Sequence, residues 1–183
     1  MTRIALPEVD MLRKILTYNL ETGQLIYLDR PNDMFSNMRA ANSWRTQFLG
    51  EIAGSFVTRE GRTYCQVEIL KKKYLAHRII WKMYYGEEPP ETIDHIDGDG
   101  TNNRISNLRQ ATSYQNGWNS RKNARNKSGY KGVSYNSEKN KWRAAICVNK
   151  KTILLGYFLS PEAAFEAYTK ASIAYHGDFY KET

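Results

Sequence analysis

The sequence predicts an α+β protein built in consecutive pieces: a small N-terminal α/β lead-in, a core of strand, loop, strand and helix, and a C-terminal three-stranded antiparallel sheet packed on one helix. Three stretches carry that prediction. In "KWRAAICVNK", Trp142, Ala144, Ile146 and Val148 alternate with Lys141, Arg143, Ala145, Cys147 and Asn149, the two-residue period of a half-covered strand. "SPEAAFEAYTKASIAYHG" places Ser160 as N-cap, Pro161 at the first helical position and Gly177 just past the end. "AHRIIWKMYYG" is apolar at Ile79, Ile80, Trp81, Met83 and Tyr84, stops at Gly86 and is followed by Pro89 and Pro90, a helix-stop pattern.

Taken in chain order, "MLRKILTYN" predicts a short helix, and "QLIYL", "EIAGSFV" and "TYCQVEIL" predict strands split by Gly and polar turns. Residues 30–48 show no clean period and are expected to form a long loop. After the helix at 76–85, "TIDHID" reads as a short strand delivering Asp94 and His95 side by side on opposite faces. "GDGTNN" supplies turn residues, Asn102 and Asn103 among them, and "NLRQAT" returns as a second strand. "TSYQNGWN" opens a helix with a capping box, Thr112 followed three residues later by Gln115. In "NSRKNARNKSG" the cations Arg121, Lys122, Arg125 and Lys127 meet no acidic residue, so this linker is either a solvated tether or a phosphate-binding strap. "GYKGVSY" and "TILLGYF" flank the alternating strand as partners. On the closing helix Ala164, Tyr168, Ala171 and Tyr175 are expected to face the sheet.

Composition narrows the class. With 41% hydrophobic and 13% aromatic residues, the 183-residue chain can bury a core and is too apolar for a disordered segment. The 27 Lys and Arg against 19 Asp and Glu leave a net charge of +8, which favours a polyanionic partner such as nucleic acid; a basic protein with no such partner is the competing reading. Between residues 131 and 151 the cations Lys131, Lys139, Lys141, Arg143, Lys150 and Lys151 face Glu138 alone, so the open face of the C-terminal sheet is expected to be basic and shaped for a DNA groove. No apolar run approaches the ~18 residues that cross a bilayer. "MTRIALPEVDMLRKIL" lacks the apolar stretch of a signal peptide, and a cytoplasmic protein with no membrane partner is expected. Cys65 and Cys147 belong to no CxxC pair and are expected to be small apolar residues, with no zinc.

The stretch from 91 to 119 is the richest in chemistry. "DGDGTNN" has the acidic spacing of an EF-hand loop starting at Asp97, but Asn102 stands where Gly is required and Leu108 where a bidentate Glu is required. His77, His95 and His176 show no zinc-ligand spacing such as HExxH. A hard, oxygen-liganded cation such as Mg²⁺ remains, because that ion takes one or two protein oxygens, keeps waters and completes its shell with phosphate.

Here the sequence resembles the HNH endonucleases, with their ββα-metal site, in the variant that ends in Asn. The matching residues are "DH" at Asp94 and His95, Asn107 within "SNL" and Asn116 within "YQN"; "LAHRIIW" and "LTYNLETGQLIY" also resemble free-standing phage and intron-associated members. The resemblance implies that His95 is the general base, a role open to an imidazole that is neutral at pH 7. It implies further that Asn107 holds that imidazole by a hydrogen bond, and that Asp94 and Asn116 bind one Mg²⁺ or Mn²⁺. The competing readings are Asn107 as a turn cap, Asn116 as a surface helix residue and His95 as a core histidine. Arg78, beside His77 at a helix start, is a phosphate contact or a support for the site.

Residues 124–180, with "SGYKGVSYNSEKNKWRAAI", "LGYF" and "PEAAFEAY", resemble the ethylene-response-factor, or Apetala-type, DNA-binding domain. That resemblance puts Lys131, Ser134, Asn136, Ala145, Cys147, Thr152 and Leu154 at base-facing positions. Plant members carry mainly Arg, Trp and Glu there, so the departure removes most base-reading Arg residues and leaves Lys131, Arg143, Lys150 and Lys151 to grip phosphates.

The expected organisation is an accessory region at 1–75, an HNH nuclease core at 76–120, a basic linker at 121–128 and the Apetala-type module at 129–183. The expected function is metal-dependent cleavage of double-stranded DNA to 5′-phosphate and 3′-hydroxyl ends by a phage or mobile-element (homing-type) nuclease. The alternatives are a catalytically inactive DNA-binding regulator and an RNA-directed nuclease. Monomer and homodimer are both open.

Overall fold

In chain order the first elements are helix α1 (Val9–Ile15), the hairpin β1 (Leu16–Asn19) and β2 (Gln24–Tyr27), and helix α2 (Met38–Phe48). A three-stranded sheet follows, β3 (Ser55–Arg59), β4 (Arg62–Ile69) and β5 (Lys72–Leu75), then helix α3 (Ala76–Tyr85) and the pair β6 (Thr92–His95) and β7 (Leu108–Ala111). Helix α4 (Ser113–Trp118) precedes β8 (Val133–Asn136), β9 (Lys141–Val148), β10 (Lys151–Phe158) and helix α5 (Pro161–His176). This computed structural model describes residues 4–59, 61–119 and 126–180. The chain divides into two compact units, Met1–Gln110 and Ala111–Thr183.

In the first unit α1, β2, β4, α3, β6 and β7 contribute to one apolar core, in which Leu12, Ile15, Leu16, Val67, Ile79 and Ile80 are all but fully buried. Each such aliphatic side chain contributes about 1.5–3 kcal/mol by leaving water. The N-terminal lead-in and the β6–β7 pair therefore fold around common side chains. Helix α3 ends as its sequence predicts, with Gly86 left-handed at φ 74° and its N–H on the carbonyl of Lys82. Beyond that cap Lys82 is ion-paired with Glu88, and Arg78 donates to the carbonyls of Pro90 (2.9 Å) and Pro89 (3.2 Å).

Three expectations are corrected in this unit, and one strand appears that the sequence did not announce. The helix predicted over "MLRKILTYN" ends at Ile15, and Leu16–Asn19 pairs with Gln24–Tyr27 as a strand. "EIAGSFV" is extended only from Ser55, Ile52 forming an isolated bridge to Ile26. Residues 30–48 are not one loop: a 3-10 turn at Asn32–Met34 leads to α2, whose N-cap Asn37 accepts from the Ala40 amide at 2.9 Å. Ala41, Trp44 and Phe48 recur there at helical spacing, Trp44 meeting Tyr27 edge to face at 5.5 Å while the Arg30 guanidinium covers it at 4.3 Å. Strand β5 had no sequence signal because its tight turn is made by Leu70 and Lys71, both at positive φ (50° and 62°), where Asn-Gly is the usual signature.

In the second unit the sheet has the order β10-β9-β8, antiparallel throughout, with α5 packed on one face. Its core centres on Val133, Ala144 and Ala164, against which Trp142, Phe158 and Phe165 pack. Ser160 caps α5 by accepting from the Ala163 amide at 3.2 Å, with Pro161 next and Gly177 at the other end. The buried positions of α5 are Ala164, Tyr168, Ser172 and His176, four residues apart; Tyr175, expected on that face, is exposed, because a strict four-residue stripe drifts off the 164–168–171–175 line by one position. Gly132 sits at φ 75° where any Cβ would collide with the Tyr168 ring, so this close approach requires glycine. Among the described residues no helix is long and apolar enough to cross a membrane.

Candidate active site

Strand β6 ends with Asp94 and His95, both buried at 3% and 6% exposure. The Asp94 carboxylate is ion-paired with Arg109 of the neighbouring strand β7, at 2.7 Å from Nη2 and 2.9 Å from Nε. The imidazole of His95 meets Asn103, its Nε2 lying 3.0 Å from Oδ1. Asn103 turns its amide nitrogen to the carbonyl of Thr101 (3.3 Å), so Oδ1 is the atom facing the ring and accepts from a protonated Nε2. The basic lone pair of His95 is therefore on Nδ1. Burial pushes the His95 pKa down, against upward pulls from the Asn103 hydrogen bond and from Asp97, Asp94 and Asp99, which keeps the ring neutral at pH 7.

Asn107 does different work from that expected of it. Its side chain accepts from the Asp97 amide at 3.0 Å and donates to Asp97 Oδ1 at 2.9 Å and to the carbonyl of Asn102 at 2.8 Å. It staples the loop between the two strands shut, and the imidazole is held by Asn103, which the sequence presents only as a turn residue. Burial resists ionisation of Asp97, but the Asp99 amide and the side chains of Asn102 and Asn107 outweigh it and hold the carboxyl below its ordinary range. Asp97 and Asp99 thus spend their oxygens on the loop itself, Asp99 taking both the amide and the hydroxyl of Thr101.

The N-terminal lead-in builds the walls. Tyr18 donates to the carbonyl of Asn103 (3.1 Å) and accepts from the Ile105 amide (2.8 Å), while Arg104 Nε donates to the carbonyl of Glu21 (2.5 Å). Gly23, at φ 76° in the β1–β2 turn, lies so close to the chain that a Cβ would stand 2.5 Å from the Arg104 nitrogen. On the other side, Tyr64 of β4 lies 6.2 Å from the His95 ring and 6.0 Å from His77, and His77 meets His95 edge to face at 5.0 Å. Gly100 packs on the carbonyl of Thr63 and the ring of Tyr64, its absent Cβ leaving room for that approach. His77 is buried, its Nδ1 has no hydrogen-bond partner among the described residues, and burial pushes its pKa down to about 3. It is a neutral aromatic support. Tyr18, Gly23, Tyr64 and Asn103 carry no motif signal of their own, because each acts by where the fold places it.

The remaining site residues lie in the second unit or outside the described residues. Asn116 is a partly exposed residue of α4, whose capping box forms as the sequence predicts: Thr112 accepts from the Gln115 amide at 3.2 Å and Gln115 returns to the Thr112 amide at 2.8 Å. Arg121, Lys122 and Arg125 lie outside the described residues, and Lys127 is exposed. On the C-terminal sheet the register puts Ser134 beside Arg143, Asn136 beside Lys141, Thr152 beside Cys147 and Leu154 beside Ala145, so these residues share the face away from α5. The basic run is divided between surfaces. Lys141 and Arg143 are on the open face and Lys139 reaches over the Tyr157 ring at 4.1 Å, whereas Lys131 donates to the carbonyl of Trp118 and Lys150 covers the Tyr114 ring. Lys151 pairs with Val148, in register with the covered face.

Residues 74–118 match the family model described as HNH endonuclease. This segment is an HNH endonuclease domain. It begins at the end of β5 and runs through α3, the β6–β7 pair and α4, so the geometry above is the geometry of its loop. The chain is also 37% identical over 76 residues to "Protein 3.8" of Escherichia phage T7, a match covering 41% of this chain and 63% of that protein. No solved structure matches the chain. Among the described residues no group of three His, Cys, Asp or Glu side chains is placed to hold a metal ion. A carboxylate such as that of Asp94 and an amide oxygen such as that of Asn116 are each donors of the kind a hard divalent cation takes.

Proposed function

We propose that the protein is a phage- or mobile-element-type DNA endonuclease that hydrolyses phosphodiester bonds to 5′-phosphate and 3′-hydroxyl ends. The observation that carries this reading is the held imidazole: within the HNH segment, His95 is fixed through Nε2 by Asn103, next in sequence to the carboxylate of Asp94. With Nε2 donating to Asn103, Nδ1 takes the proton from an attacking water, and the tautomer is set before substrate arrives. An attacking water forms the new bond to phosphorus as its proton passes to His95, the bond between phosphorus and the 3′ oxygen breaks, and that oxygen takes a proton from solvent to leave as the 3′-hydroxyl. Asp94 and Asn116 would hold one Mg²⁺ or Mn²⁺, which when bound supplies Lewis-acid polarisation of the phosphate and charge neutralisation at the leaving oxygen. The open face of the C-terminal sheet, with Ser134, Asn136, Lys141 and Arg143, is proposed to lie against duplex DNA in the Apetala-type manner, the cations contacting phosphates. Arg78 donates to two backbone carbonyls and is read as support for the α3–β6 connection.

The test is incubation of supercoiled plasmid with the protein in Mg²⁺, in Mn²⁺ and in EDTA. Metal-dependent nicked or linear product is expected, with loss of at least about a hundredfold in rate for His95→Ala, the scale of one general base. Tight duplex binding with no cleavage in any metal would instead leave a DNA-binding regulator, and His95→Ala cleaving at the wild-type rate would remove the assigned base.

A further inference from the structure

Helix α4 has six residues and none of them is buried, and isolated helices shorter than about 12–15 residues are marginal in water. Its capping box satisfies the N-terminal end but fixes no orientation. What does fix it comes from three separate parts of the second unit. The indole of Trp118 stacks on the His176 imidazole at the end of α5, 4.3 Å between centroids and 12° from parallel. Lys131, in the approach to β8, donates from Nζ to the carbonyl of Trp118 at 2.5 Å, a cation on the carbonyl end of the helix. Lys150, in the β9–β10 turn, covers the ring of Tyr114 at 5.4 Å. His176 is itself buried and anchored, its Nε2 donating to the carbonyl of Cys147 at 3.3 Å.

We propose that the C-terminal module is a structural part of the nuclease: Trp118, His176 and Lys131 are positioning residues that hold the helix carrying Asn116. This rests on the nuclease reading for Asn116, but the clamp is a statement about α4 in its own right. The segment matching the HNH family ends at Trp118, and the clamping side chains lie at 131, 150 and 176, outside it. The compact-unit division, between Gln110 and Ala111, falls inside the same segment, so the helix keeps company with the C-terminal sheet while β6 belongs to the first unit. A module that looks like a separable DNA-binding appendage thereby holds the helix that closes the HNH segment. Lys131 and Lys150, two of the four cations that the sequence offers for phosphate contacts, are engaged with α4.

The full-length protein is compared as wild type, His176→Ala, His176→Phe and Lys131→Met by amide hydrogen exchange and by plasmid cleavage over a Mg²⁺ titration, with duplex affinity measured separately in EDTA. In His176→Ala the amides of residues 116–119 are expected to exchange about tenfold faster while those of β9 keep their protection, the signature of a local rather than global opening. The Mg²⁺ concentration for half-maximal cleavage should rise about fivefold or more with duplex affinity unchanged, the order seen when groups orienting a metal ligand are lost. His176→Phe, which keeps a ring under Trp118, should restore both. Lys131→Met, which removes the ammonium group from the Trp118 carbonyl and leaves every aromatic ring in place, should give the same pattern more weakly and decides the matter if His176→Ala does not fold. Unchanged exchange at 116–119 in His176→Ala or Lys131→Met would overturn the clamp. So would a cleavage defect that merely tracks duplex affinity. A wild-type protein that cleaves nothing would sink the nuclease reading while the exchange comparison still decides the clamp.

Discussion

A single amide decides how His95 works. Asn103 presents Oδ1 to the imidazole because its Nδ2 is committed to the Thr101 carbonyl, so the hydrogen bond orients the ring and selects its tautomer together. Asn103→Ala should lower the cleavage rate roughly ten- to hundredfold, the worth of about 1–3 kcal/mol for one such bond. Measured under single-turnover conditions, the loss should appear in the rate and leave duplex affinity alone. Asn107→Ala should act differently, by loosening the loop, and lower thermal stability as well. His77 carries a pH prediction. Its folded pKa, about 3, lies below the ordinary 6.5, so its stabilising contribution is complete above pH 6.5 and is lost as pH falls toward 3. Urea midpoints should therefore drop through that window, and His77→Phe should flatten the drop by up to about 4–5 kcal/mol, the value of the full shift. His95 and His176 are shifted in the same direction, so the slope is expected to shrink and not vanish. An unchanged slope in His77→Phe would show that His77 titrates alike in the folded and unfolded protein.

At the scale of elements, the β1–β2 hairpin is the part that holds the loop in place. Gly23 occupies a left-handed conformation with its α-carbon against the Asn103–Arg104 backbone, and Tyr18 of the same hairpin bonds both Asn103 and Ile105. Gly23→Ala therefore meets strain and collision at once and should cost at least about 1 kcal/mol of stability from the backbone alone. Because the collision falls on the peptide unit joining Asn103 to Arg104, the backbone that carries the residue orienting His95, cleavage should fall by more than the fraction of protein unfolded. Activity per folded molecule, with folding followed by circular dichroism, separates the two effects, and a purely proportional loss would argue that the hairpin only stabilises.

For the whole molecule, the net charge of +8 sets how it meets a polyanion. Duplex affinity should fall linearly on a log–log plot against salt, with a slope of about −0.9 for each phosphate neutralised. Lys141→Ala and Arg143→Ala, on the open sheet face, should each reduce that slope by about one. Lys131→Met and Lys150→Met should leave it nearly unchanged, since those ammonium groups are engaged with α4. Fluorescence anisotropy of a labelled duplex between low and moderate salt measures this, and equal slopes for all four variants would remove the sheet face as the DNA-contacting surface.

Much of this was legible beforehand for a physical reason: caps and periods are local. Gly86, Ser160 with Pro161, and the Thr112–Gln115 box announce helix ends within four residues of the bonds they make, and the alternation in 141–148 states which side chains a sheet can cover. The placement of Asp94 and His95 at a strand end was readable in the same way. Helix α2 was legible in principle through Ala41, Trp44 and Phe48, but its polar surroundings diluted the period, and β5 was hidden by a turn made of Leu and Lys. The amino-acid sequence by itself determined the α+β class, the ends of the main helices and the acid–imidazole pair. Only the tertiary structure decided which asparagine holds that imidazole and what holds α4. Tyr18 reaches Asn103 across 85 positions and His176 stacks on Trp118 from the far end of another helix, and no spacing rule reports a contact that exists only once separate cores have closed.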